Sequence, residues 1–141
     1  MGYTHYWTMR SLNDTEWALL SELTRALLAR PDVAPLVCEE FDAQMNPPIV
    51  SENLIRFNGK GDAGHETLYL ARPDDGWNFC KTARKPYDVA VVAFLCFLGH
   101  LGCAVSSDGD ADDWGAGRLI ALEVAEALDV ELSWFPGQLG E

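Results

Sequence analysis

Apolar residues recur along this chain with two different periods, and the switches between them lay out its elements. From Gly2 to Met9, Tyr3, His5 and Trp7 fall on one face and Thr4, Tyr6 and Thr8 on the other, which predicts a strand. Asn13-Asp14-Thr15-Glu16 then has the form of a capping box, in which Asn13 caps the backbone and Glu16 reaches back to it. The helix so opened should run to about Arg30, with Leu20, Leu23 and Leu27 as its core stripe, Trp17 and Leu28 widening it and Pro31 ending it. Val33 to Phe41 reads as a second short helix. Leu54 to Asn58, Glu66 to Ala71 and Trp77 to Thr82 read as three consecutive strands of an antiparallel meander, with turns at Gly59 to Gly64 and Pro73 to Gly76.

The longest apolar run, Val89 to Leu98, changes the picture because it shows no polar face at all. A helix from Pro86 to about Leu101 that is apolar on nearly every side must be the central buried helix. Ala104 to Ser107 follows as a strand, and Trp114 to Leu128 as a last helix. Asp112 or Asp113 should cap that helix, Ile120, Val124, Ala127 and Leu128 should pack, and Glu123 and Glu126 should face solvent. Val130 to Phe135 fits an edge strand. The sum is one α+β domain over residues 1–141, a mainly antiparallel sheet with a central buried helix and flanking helices.

Composition sharpens this in three ways. At 48% hydrophobic and 11% aromatic, 141 residues suffice for one genuine core. The net charge of -12, from 22 acidic against 10 basic residues, repels polyanions, so a nucleic acid polymer or an anionic membrane is not an expected partner. The apolar run falls short of the about 20 residues a membrane span wants, and the amino terminus lacks the pattern of a secretory signal. Cys38, Cys80, Cys96 and Cys103 show neither C-x-x-C pairing nor zinc-ligand spacing, which fits buried thiols in a cytoplasmic protein.

The candidate chemistry sits in a few places. Gly59-Lys60-Gly61-Asp62-Ala63-Gly64 formally matches G-x-G-x-x-G, but a dinucleotide fingerprint leads from a strand into a helix, whereas His65 to Leu70 reads as strand; a hairpin loop is the better reading. Lys81, Arg84 and Lys85 concentrate positive charge just before a helix amino terminus, where Lys81, Thr82, Arg84 and Lys85 could hold a phosphate or carboxylate. The competing reading has Asp88 complement the helix end while the basic side chains make surface ion pairs. Asp108, Asp110 and Asp112 alternate as in a calcium loop, but Asp113 stands where glycine is needed and Leu119 where glutamate is needed, so no metal is expected. Ser106, Ser107 and Asp108 remain as polar contacts for a ligand at a strand end.

His65-Glu66-Thr67 fits the H-x-T element of two-histidine phosphodiesterases, yet neither His5 nor His100 supplies a second one. His100 fits a helix carboxyl end, where a cationic imidazole is favourable. The aromatic set, Tyr3, Tyr6, Trp7, Trp77, Tyr87 and Trp114, exceeds what a polar surface needs. Rings beside the basic loop, Trp7 and Tyr87 among them, would stack on a base.

Three stretches carry a resemblance. Met1 to Trp7, Phe79 to Asp88 and Val105 to Gly109 resemble the GYTHYW, FCKTARKPYD and VSSDG signatures of small bacterial and phage proteins of unassigned function. The resemblance implies no fold, activity, cofactor or ligand. The residues themselves lead to a non-enzymatic protein, needing no cofactor, that binds a small anionic, nucleotide-like ligand and could sequester it. The alternatives are a phosphoester hydrolase using His5 or His65, and an acidic protein-interaction module.

Overall fold

A computed structural model of the chain describes residues 2–40, 46–73 and 76–134. Two antiparallel sheets and three α-helices share one core among these residues. The first sheet has β1 (Thr4–Thr8) at its centre, paired on one side with β6 (Trp77–Lys81) and on the other with β7 (Ala104–Ser107). The second is built on β4 (Leu54–Gly59), which pairs with β2 (Val37–Cys38), β3 (Ile49–Val50) and β5 (Leu68–Ala71).

The helices are α1 (Asp14–Leu28), α2 (Asp88–His100) and α3 (Gly115–Ala127), and both α1 and α3 pack against α2. Every residue of α2 from Ala90 to Gly99 is buried, as a helix without a polar face requires. Full burial of each of its large side chains contributes roughly 1.5–3 kcal/mol. Helix α3 approaches closely through Gly117, where a Cβ would come within 2.5 Å of Val92. The α1 box forms as expected: Glu16 N–H donates to Asn13 Oδ1 at 2.8 Å, and Asn13 N–H donates to Glu16 Oε1 at 2.9 Å.

Several expectations are corrected. The three middle strands do not form one meander: β4 and β5 pair as expected, but β6 pairs with β1, far away in sequence, and meets the segment before β5 where Glu66 N–H donates to Lys81 O at 3.2 Å. The stretch from Tyr3 to Met9 buries Tyr3, His5, Trp7 and Met9 on one face, and both edges of β1 are paired, by β6 and by β7. In place of a helix after Val33 there is a single 3-10 turn, Ala34–Leu36, followed by β2; the end of that expected helix, Phe41, lies outside the described residues. The last helix packs through Gly117, Ala121, Val124 and Ala125, with Ile120 and Leu128 half-buried and Ala127 exposed. Neither Asp112 nor Asp113 caps it: the residue at its amino end is Trp114, which makes no side-chain cap bond. Asp113 N–H donates to Asp110 Oδ1 and Asp110 N–H to Asp113 Oδ2, both at 3.0 Å, so Asp110 opens the turn that leads into α3. Val130 to Trp134 is irregular rather than strand, and Phe135 lies outside the described residues.

The glycine-rich connector is a hairpin loop, and its glycines have structural reasons. A Cβ on Gly59 would meet Ala63 O at 2.3 Å, one on Gly64 would meet Gly59 O at 2.4 Å, and Gly61 has a φ of 50°. Buried Asn58 closes the loop, accepting from Gly59 N–H and His65 N–H and donating to His65 O and Thr67 Oγ1. No helix among the described residues is long and apolar enough to cross a membrane.

Candidate functional site

The three stretches far apart in sequence, around His5, Thr82 to Asp88 and Ser107 to Gly109, meet at one end of the first sheet. Alternation in β1 and β7 turns His5 and Ser107 to the same inward face as register partners. Ser107 Oγ lies 2.8 Å from His5 Nδ1, and His5 Nε2 lies 2.7 Å from Asp88 Oδ1. Thr82 Oγ1 donates to the same Asp88 oxygen at 2.5 Å. The order serine, histidine, aspartate resembles a hydrolytic triad, but its surroundings deny it that role. Ser107 Oγ already accepts from Gly109 N–H at 2.9 Å and from Trp114 Nε1–H at 3.2 Å, so no lone pair is left for an electrophile, and His5 is wholly buried. These bonds tie β1, β7 and the start of α2 together.

The basic loop is a tight turn. Lys85 N–H donates to Thr82 O at 3.0 Å, and its two central residues, Ala83 and Arg84, have positive φ of 53° and 57°, the arrangement of a type I′ turn. Outside glycine this conformation is strained. It carries the Arg84 guanidinium to 3.9 Å from the centre of the Tyr3 ring and within 3.3 Å of Asp113 Oδ1. Bonds from Asp110 N–H and from Arg84 hold the Asp113 carboxyl below its ordinary pKa. Tyr3 is buried against Gly109, and burial, with Asp88 and Asp113 nearby, pushes its phenol up to about 12.

The expected anion site therefore divides. The amino end of α2 is served by the chain itself: Asp88 N–H donates to Lys85 O at 2.8 Å, Ala90 N–H donates to Tyr87 O at 2.9 Å, and the Asp88 carboxylate occupies the first turn. Thr82 is buried and engaged. Arg84, exposed Lys85 and half-buried Lys81 keep side chains at the surface. An open cleft of about 410 Å³ lies here, bordered by Gly2, Tyr3, Ala83, Arg84 and Asp108. The Lys81 side chain lies against Gly2 at its border, where a Cβ would come within 2.8 Å of Lys81 Cε.

Of the expected rings, Trp7 and Tyr87 are core residues with no more than 1% of their surface exposed, and so cannot stack on a ligand. The exposed rings are others. Trp77, Phe79 and Lys81 alternate onto the outward face of β6, with Trp77 62% and Phe79 52% exposed. Tyr6, opposite Phe79 in β1, lies 6.0 Å from Trp77 and nearly parallel to it, and the Trp77 and Phe79 centres are 5.4 Å apart. The missed signal was the two-residue spacing of Trp77, Phe79 and Lys81, which puts rings and cation on one face of a strand.

The strand-end residues separate likewise. Ser106 is half-buried on the outward face and Ser107 turns inward. Asp108 is exposed and accepts from Thr4 N–H at 3.0 Å and from the Tyr6 hydroxyl at 3.1 Å, a bond that raises the Tyr6 pKa. His65 is an exposed residue of the hairpin loop, and His100 Nδ1 lies 3.1 Å from Ser133 Oγ. Among the described residues no group of three or more His, Cys, Asp or Glu side chains is placed to hold a metal ion. A second open groove, of about 530 Å³ along α1, has its arginines engaged, Arg72 by Asp14 at 2.7 Å and Arg25 by Val50 O at 3.1 Å. No family model, curated protein or solved structure matches this chain.

Proposed function

We propose that the protein is a non-enzymatic binder of a small anionic ligand with a planar ring, a nucleotide being the class that fits, and that it acts by sequestering that ligand. One observation carries the reading: Trp77 and Phe79 lie on the outward face of β6 in line with Lys81, beside Tyr6, where the face opens into the cleft at Arg84. Stacking on an exposed ring is worth about 1–3 kcal/mol per base, and Lys81 and Arg84 supply charge-assisted bonds for the anion. The net charge of -12 disfavours a polyanion far more than one phosphate held locally between two cations.

Isothermal titration with nucleoside monophosphates and cyclic nucleotides at low salt tests it, with quenching of tryptophan fluorescence as a second readout. Binding should weaken by about tenfold or more in Trp77→Ala and in Lys81→Ala. Absence of binding at millimolar ligand, or affinity unchanged in both variants, would sink the proposal.

A further inference from the structure

The outward face of the first sheet is ordered in rows. Register places Phe79, Tyr6 and Ser106 side by side, and the row nearest the cleft reads Lys81, Thr4 and Asp108, the last fixed by its N–H donating to Thr4 O at 3.0 Å. A cation thus ends the row on β6 and a carboxylate ends it beyond β7, with the Tyr6 and Phe79 rings behind them. Two strand spacings put their backbones about 10 Å apart.

Asp108 is aimed before any ligand arrives. Thr4 N–H binds Oδ2 and the Tyr6 hydroxyl binds Oδ1, one donor to each oxygen. An ionised carboxylate has about four lone-pair sites, so each oxygen retains capacity, and it can only accept. A ligand satisfying it must bring donors, and fixing the carboxylate beforehand lowers the ordering cost of binding it. An anion beside Lys81, a ring on Tyr6 and Phe79, and paired hydroxyl donors at Asp108 are what a ribonucleotide presents together.

We infer that Asp108 binds the ribose hydroxyls of the ligand and makes the site selective for ribonucleotides over their deoxy counterparts, an inference that rests on the nucleotide reading above. Isothermal titration of the wild-type chain with the four ribonucleoside 5′-monophosphates, their 2′-deoxy forms and their 2′,3′-dideoxy forms tests it, alongside Asp108→Asn with its melting temperature recorded. The dideoxy form of the best ligand should bind about tenfold or more weakly than its ribo form. That gap should close in Asp108→Asn. Equal affinity for the ribo and dideoxy forms, or a gap that persists in a folded Asp108→Asn, overturns the role of Asp108 and leaves the ring platform standing. No binding of any nucleotide overturns the platform reading and this inference with it. Should the variant fail to fold, the wild-type series decides alone.

Discussion

His5 Nε2 lies 2.7 Å from Asp88 Oδ1, so an imidazole from the first strand holds the carboxylate that begins the central helix. Because Ser107 Oγ accepts from Gly109 and Trp114, its own proton goes to His5 Nδ1, which leaves Nε2–H for Asp88. Replacing His5 by Ala takes the imidazole partner from half-buried Asp88 and Ser107 and leaves a cavity in its place, which should cost roughly 2–4 kcal/mol, and Ser107→Ala about 1–3 kcal/mol. Urea unfolding monitored by far-UV circular dichroism measures both, and variants as stable as wild type would remove the structural role assigned to the network.

Alkaline pH should unfold the chain earlier than its exposed groups alone would require. Burial pushes the Cys80 and Cys96 thiols up from 9.0 to about 12 and the Tyr3 phenol up from 10.0 to about 12, and it raises Tyr87 as well. Each is neutral when protonated and has a folded pKa above its unfolded one. The stability it contributes is complete below the unfolded value and is lost as pH rises through the folded value. The urea midpoint should fall between pH 9.0 and about 12, and Cys80→Ala should make the fall shallower. A midpoint flat across that window contradicts the burial of these groups.

The turn at Ala83 and Arg84 holds two residues with positive φ where glycine would be unstrained. Arg84 is offset by its contacts to Tyr3 and Asp113, whereas Ala83 has only its methyl group to lose. Ala83→Gly should therefore stabilise the chain by about 0.5–1 kcal/mol. A lower melting temperature in this variant would show that the turn is not strained at Ala83.

Much of the fold is legible in local pattern. The capping box of Asn13 and Glu16, the stripe of Leu20, Leu23 and Leu27, and the unbroken run from Val89 to Leu98 each state their structure within a few turns of helix. The role of Asp110 in the turn before α3 is harder to read, because four aspartates stand close together and only backbone geometry selects between them. The proposed binding face is half legible. Lys81, Arg84 and Asp108 stand out by charge and position, but Trp7 and Tyr87 look as suited to stacking as Tyr6 and Phe79 until burial separates them.

Periodicity and end signals within single segments are enough to set the α+β class, the presence of the three helices and the strand character of β1, although α2 begins at Asp88 rather than Pro86. That β6 joins β1 rather than β5, that buried His5 links half-buried Asp88 and Ser107, and that Trp77 and Phe79 face solvent in line with Lys81 all depend on contacts between distant segments. Strand partners are chosen by which faces can be buried together, and that competition among distant segments has no local signature.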